Sequence, residues 1–249
     1  MNRLSKEEYW SNKFSNKQIP RYHRLDQYNN YRFDKLFKEI LPKNENFKIL
    51  EIGAAHSSWL IYWAQEFHYV PFGIEYTKNG AELGQANLDF FNIEGKLFEG
   101  DFFDKDAEFR KQKYNVIFSY GFIEHFDNVE EILIDTYNLL EDDGYVITVV
   151  PNIEGIWGKI SQKIHPEIYN IHKVVNQETF KTFDSLTGKN LFNKYFGTFF
   201  IYVLAINIKN RVLRKIIYYF HNTLKILNIT IESKFASPYY VNIFQKVKK

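Results

Sequence analysis

A carboxylate, a glycine turn and a helix start meet in the segment Lys48-Ile49-Leu50-Glu51-Ile52-Gly53-Ala54-Ala55-His56-Ser57-Ser58-Trp59-Leu60. An apolar strand runs into small residues and then into an apolar helix. Backbone N–H groups and the positive end of the helix dipole therefore converge on one spot, which suits a carboxylate or phosphate. Gly53 permits a positive φ and lets a ligand approach the backbone closely. A second carboxylate, Glu75, closes the strand Val70-Pro71-Phe72-Gly73-Ile74, 22 residues after Gly53. An acidic residue about 20 residues past the glycine is the usual partner of ribose hydroxyls in a mononucleotide-binding βαβ unit. Glu99-Gly100-Asp101-Phe102-Phe103 follows a third strand and offers a carboxylate and a ring for an adenine. Ser119-Tyr120-Gly121-Phe122-Ile123-Glu124-His125-Phe126 follows a fourth. In this order the four segments point to an adenosine-containing cofactor. Taken alone, the first turn also reads as a plain strand-to-helix connection. A dinucleotide turn, G-x-G-x-x-G, would have glycines where this chain has Ala55 and Ser58.

These residues need a scaffold that lines up strand ends. Strands are expected at Phe47–Ile52, Val70–Glu75, Lys96–Glu99, Tyr114–Ser119 and Tyr145–Val150, with helices at Ser57–Phe67, Asn79–Phe91, Lys105–Lys111 and Val129–Leu140. Strictly alternating strands and helices predict an α/β fold, a mostly parallel sheet with helices on both faces. Its ligands bind at the carboxyl ends of the strands. A helical stripe spans Arg24–Leu41, and Glu8-Tyr9-Trp10 to Pro20 is expected to lie over the ligand edge. Beyond the core, Pro151–Val175 reads as an irregular insertion and Gln177–Ser185 as a helix. A strand at Tyr195–Ala205, an amphipathic helix at Arg211–Leu227 and a final strand at Tyr239–Gln245 complete the chain. The reading divides one domain into an N-terminal cap (1–44), a core (45–152), an insertion (153–190) and a C-terminal part (191–249).

Composition excludes several classes. Net charge is +2 from 32 basic and 30 acidic residues, so no nucleic-acid coat is expected. Cysteine is absent, which removes disulfides, thiolate catalysis and cysteine metal sites and fits a cytoplasmic location. No signal peptide is apparent at the start, and no apolar run approaches the roughly 20 residues of a membrane span. No metal-ligand spacing is evident.

The run from Glu51 to Asn152 resembles the class I S-adenosylmethionine-dependent methyltransferases. Their first motif, an acidic residue followed by G-x-G-x-G, corresponds to Glu51, Gly53, Ala55 and Ser57, with the second and third glycines replaced. Gly121-Phe122-Ile123-Glu124-His125-Phe126 is similar to the "LEHV"-like stretch of ubiquinone-type small-molecule methyltransferases. Leu139-Leu140-Glu141-Asp142-Asp143-Gly144 and Val149-Val150-Pro151-Asn152 match as well. The resemblance implies a Rossmann-like seven-stranded sheet with an antiparallel last strand, S-adenosylmethionine as cofactor and S-adenosylhomocysteine as product. It also implies cofactor contacts from Glu51, Gly53, Ala55, His56, Ser57, Glu75, Tyr76, Asp101, Phe102, Ser119 and Gly121. The insertion from Asn152 to Val174 resembles methyltransferases of bacterial capsule and surface-polysaccharide pathways. That implies an oxygen acceptor on a sugar or sugar-linked, phosphoramidate-type precursor.

For a hydroxyl acceptor a base is useful, and histidine titrates near neutrality. His125, just past the fourth strand, and His172, in the insertion, are the candidates; each also reads as a packing or loop histidine. Tyr9, Trp10 and Tyr169 are expected around the acceptor, as a lid or as hydrophobic anchors. The helix Arg211–Leu227 reads as a solvated face over a buried stripe, or as a surface for an anionic membrane or a second copy of the chain. Three rival readings stay open: an N-methyltransferase, a nicotinamide-dependent oxidoreductase, and a non-catalytic cofactor-binding subunit.

Overall fold

A computed structural model describes residues 3–15, 18–198, 210–227, 230 and 232–248. Its centre is a seven-stranded sheet in the order β3-β2-β1-β4-β5-β7-β6. The strands are β1 (Lys48–Ile52), β2 (Val70–Glu75), β3 (Lys96–Glu99), β4 (Tyr114–Tyr120), β5 (Leu140–Pro151), β6 (Gly188–Phe196) and β7 (Tyr239–Lys246). Pairing is parallel from β3 through β5, and β7 runs antiparallel to both β5 and β6. The order reverses beside β1, so β1 and β4 leave a crevice beyond their carboxyl ends, the place where such sheets bind ligands.

The helices are α1 (Glu7–Phe14), α2 (Tyr28–Ile40), α3 (Ser58–Phe67), α4 (Lys78–Phe90), α5 (Val129–Asn138), α6 (Ile156–Ile164), α7 (Pro166–Tyr169) and α8 (Arg211–Leu227). Apolar residues of β1, β4 and β5 face both ways. On one side Ile49, Val116, Phe118 and Ile147 pack with Phe37 of α2 and Trp59, Leu60 and Trp63 of α3. On the other, Leu50, Ile117 and Val146 pack with Ile132 and Leu133 of α5 and with Phe180 and Phe183. Strands buried on both faces are apolar almost throughout, which is why the alternation in the sequence marked them.

Five elements differ from expectation. The strand expected at Tyr195–Ala205 falls largely outside the described residues; the strand present runs earlier, Gly188–Phe196. It is an edge strand with Lys189, Asn190, Asn193 and Lys194, half facing solvent, so no apolar run announces it. Lys105–Lys111 is one 3₁₀ turn at Glu108–Lys111, and Gln177–Ser185 is a 3₁₀ run at Thr179–Ser185. The supposed irregular insertion holds α6 and α7. Of the stripe of α8, Leu213, Ile216 and Phe220 are exposed. None of the described helices is long and apolar enough to cross a membrane.

Candidate active site at the carboxyl edge of the sheet

The turn between β1 and α3 is wound unusually tightly. Gly53, His56 and Ser57 have φ of +80°, +55° and +51°. Two non-glycine residues in the left-handed region cost of order 1–3 kcal/mol each, strain of the kind held at ligand sites. Ser57 fastens the turn through its Oγ, which donates to the Ala54 carbonyl at 2.9 Å. Asn87 of α4 holds it from the side, donating to the His56 carbonyl at 2.9 Å. Where a glycine-rich turn would have glycines, Ala55 and Ser57 instead meet glycines on the facing helix. A Cβ on Gly80 would come within 3.1 Å of Ala55 Cβ, and one on Gly84 within 2.6 Å of Ser57 Oγ.

Four carboxylates cluster around this edge and differ in role. Glu51, at the end of β1, is 5% exposed and its Oε2 has no hydrogen-bond partner. Burial, reinforced by the nearby Glu75, pushes its carboxyl up to about 8, against the Leu60 amide. Glu75, at the end of β2, accepts from the Thr77 amide at 2.9 Å and the Thr77 hydroxyl at 2.6 Å, both through Oε1. Burial raises its carboxyl too, while Thr77, the Ala55 amide and Arg3 act against the shift. Asp101 instead lies half exposed and pairs with Arg3 at 2.5 Å. Glu124 is 1% exposed, and neither of its oxygens has a partner in hydrogen-bonding geometry.

The short 3₁₀ turn Ile123–His125 follows β4 and brings Glu124 beside two histidines. His125 Nδ1 lies 2.7 Å from the Ile171 carbonyl, and His172 Nδ1 lies 2.6 Å from the Ile168 carbonyl. A carbonyl only accepts, so both Nδ1 atoms carry the proton and both Nε2 atoms keep a lone pair. Their rings are 4.5 Å apart. The insertion is locked to this turn by the Lys173 amide, which donates to the Glu124 carbonyl at 2.7 Å. Burial, then His172, holds the His125 imidazole down to about 3, so it is neutral near pH 7. Burial lowers His172 as well, and it lifts Glu124 to about 8.

A cavity of about 680 Å³ joins these groups, with Glu51, Gly53, Ala55, His56, Glu75 and Tyr76 at one end. Phe102, Gly121, Phe122 and the Glu124–His125–His172 cluster line it as well. The N-terminal segment crosses its mouth. Leu4 donates to the His125 carbonyl, and Arg3 lies 4.4 Å above the Tyr76 ring. Trp10 sets its edge on His125 at 5.1 Å and donates to Ser5 Oγ.

Most of the residues singled out from sequence meet here, Tyr9 and Trp10 included. Ser57 and Ser119 are instead buried beside the cavity, the former packed on α4 and the latter inside the sheet. Asp101 faces Arg3 at the rim. Tyr169 lies on α7 away from the cavity, to which its neighbours Ile168 and Ile171 contribute. Sequence reasoning passed over Glu124 as a functional group, along with Arg3, Lys13, Phe14 and His23. The signal available for Glu124 was a carboxylate embedded among Phe122, Ile123 and Phe126, where burial is certain and a partner is required.

The strand order, with an antiparallel β7 and a crevice at the β1–β4 edge, defines a Rossmann-like methyltransferase fold. The family model described as "Methyltransferase domain" matches residues 23–190, and the chain belongs to this family. Similar solved structures include a SAM-dependent methyltransferase from Archaeoglobus fulgidus (15% identity, 97% of this chain and 100% of that one, TM-score 0.58). Another is geranyl diphosphate C-methyltransferase from Streptomyces coelicolor A3(2), in complex with Mg2+, geranyl diphosphate and S-adenosyl-L-homocysteine (9% identity, 87% and 79% covered, TM-score 0.60). A third is the plantazolicin methyltransferase in complex with a desmethyl analogue and SAH (15% identity, 97% and 91% covered, TM-score 0.56). At these identities the likeness is one of fold. No curated protein matches the chain.

Proposed function

We propose that this protein transfers a methyl group from S-adenosylmethionine to an oxygen of a small acceptor. The observation that carries the reading is Glu51. A carboxylate buried at a strand end, with Oε2 unpartnered, calls for a cationic donor, and the ligand's α-ammonium is one. The remaining residues fit the same ligand. A Cβ placed on Gly53 would meet nothing closer than Phe122 at 3.6 Å, which leaves the backbone open to close approach. Glu75 has Oε2 for the ribose hydroxyls, and Phe102 and Tyr76 supply faces for the base. Asp101 would receive the adenine amino group in competition with Arg3.

When bound, S-adenosylmethionine supplies a methyl on a sulfonium; the acceptor's electron pair forms the new bond while the carbon–sulfur pair stays on sulfur. The protein's work is orientation and the exclusion of water, which together lower barriers by about 7–11 kcal/mol in well-aligned cases. Trp10 and Phe14 close the cavity over His125 and His56. The acceptor hydroxyl enters beside His125 and His172, whose Nε2 lone pairs receive its proton as the oxygen–hydrogen bond breaks and pass it on to water. The finer reading, an oxygen on a sugar or sugar-linked surface-polysaccharide precursor, is supported by the sequence of the insertion alone.

Thermal unfolding with S-adenosylhomocysteine, S-adenosylmethionine and NAD tests the assignment. A ligand at 100 times its dissociation constant stabilises by about 2.7 kcal/mol, which raises the melting point of a chain this long by roughly 5–10 °C. The sulfur nucleosides should do this and NAD should not. Glu75→Ala should weaken S-adenosylhomocysteine binding by about 1–3 kcal/mol. Stabilisation by NAD alone would replace this reading with the oxidoreductase.

A further inference from the structure

The Glu124–His125–His172 cluster is overbuilt for accepting a hydrogen bond. A ligand atom from each residue lies within 4.8 Å of those of the other two, and His125 Nε2 is 3.8 Å from Glu124 Oε1. Each histidine gives its Nδ1–H to a backbone carbonyl, Ile171 or Ile168, which fixes the ring and leaves Nε2 as a donor of electrons. Metal-ligating histidines are held in this way. Glu124 lacks a hydrogen-bond partner on either oxygen although it is almost wholly buried. A buried carboxylate in that state calls for a cation.

We propose that Glu124, His125 and His172 bind a divalent transition-metal ion whose open positions face the acceptor end of the cavity. Two imidazoles and one carboxylate suit zinc, iron(II) or manganese rather than magnesium, which prefers an all-oxygen shell. Bonds of about 2.0–2.2 Å to a shared ion place ligand atoms roughly 3–3.5 Å apart, so the side chains close by about an ångström. The inference rests on the methyl-transfer reading and deepens it, because it makes the two histidines ligands rather than proton carriers. The acceptor is then a hydroxyl bearer: an alcohol on such an ion is acidified, and its proton passes to water. Lys13 of α1 is the competing positive charge, since it acts electrostatically on all three residues.

The test uses the full chain stripped with a chelator and titrated with cobalt(II), followed by visible absorption and by calorimetry, with zinc in competition. One equivalent should bind, with d–d bands of a nitrogen- and oxygen-ligated ion. Glu124→Gln, which keeps shape and removes charge, and His172→Gln should each weaken binding about 100-fold, and Lys13→Gln should tighten it several-fold. S-adenosylhomocysteine binding is measured on the same samples. If cobalt(II) and zinc fail to bind while the nucleoside binds normally, the metal site is overturned and the methyl-transfer reading stands. If metal binds equally well to Glu124→Gln, the cluster is not the site. Loss of nucleoside binding by the unsubstituted chain would sink the functional reading instead, whatever the metal does.

Discussion

Replacing Glu51 by Gln separates what this buried carboxylate does for the fold from what it does for the ligand. In the folded chain it keeps its proton up to about 8, whereas its ordinary value is 4.5. Between those pH values the folded state binds more protons than the unfolded one, so stability falls as pH rises across that window. It is fully present below the lower value and the loss is complete above the upper one. At about 1.4 kcal/mol per pH unit, the burial of Glu51 costs at most about 5 kcal/mol at pH 8, and half of that is a realistic yield. Glu51→Gln keeps the shape and drops the titration, so it should match the parent at pH 4.5 and exceed it by about 2–5 kcal/mol at pH 8. Glu124 adds a slope of the same sign to both proteins and cancels in the difference, whereas Glu75, coupled to Glu51, cancels only in part. Urea unfolding at pH 5, 6, 7 and 8 measures it. Ligand binding shows the other side. At pH 7 about nine-tenths of the Glu51 carboxyls are protonated, so pairing with an ammonium should release close to one proton. Calorimetry in buffers of different ionisation enthalpy counts that proton, and Glu51→Gln should abolish it while weakening binding. Parallel unfolding curves, or no proton released, would refute the argument.

Two further outcomes are expected. Gly84→Ala places a methyl 2.6 Å from Ser57 Oγ and 3.0 Å from the Ala54 carbonyl, and should lower stability by about 1–3 kcal/mol, read as a drop in melting point. Trp10→Ala removes the ring resting on His125 and should raise the dissociation rate of S-adenosylhomocysteine about tenfold in stopped-flow, leaving its association rate nearly unchanged. An unaltered dissociation rate would show that α1 does not gate the cavity.

The sheet was legible because β1, β4 and β5 are buried on both faces and read as apolar runs separated by amphipathic helices. Glu75 was legible because the βαβ unit fixes its distance from Gly53. Legibility ended where local pattern and tertiary environment part company. Strand β6 is polar because it borders solvent. The insertion folds into α6, whose short stripe of Ile156, Ile160 and Ile164 is set among polar residues, and into the single turn of α7. Asp101 is drawn to Arg3, a partner from the far N-terminus that spacing does not reveal. The joining of Glu124 and His125 to His172 depends on how the insertion docks through Lys173, and nothing in either segment alone specifies it.

The glycines of α4 show how a motif can be transposed. In the turn itself Ala55 and Ser57 look like losses, yet the room they need is carved out of the opposite helix at Gly80 and Gly84. The packing behind the cavity wall is a property of two segments jointly, and each makes sense only as the negative of the other. Restoring glycine to the turn would loosen that fit, and filling the helix would jam it. Exchanging both at once would not restore the fit, because a Cβ on Gly80 would still meet Thr77 Oγ1 at 2.5 Å and one on Gly84 the Ala54 carbonyl at 3.0 Å.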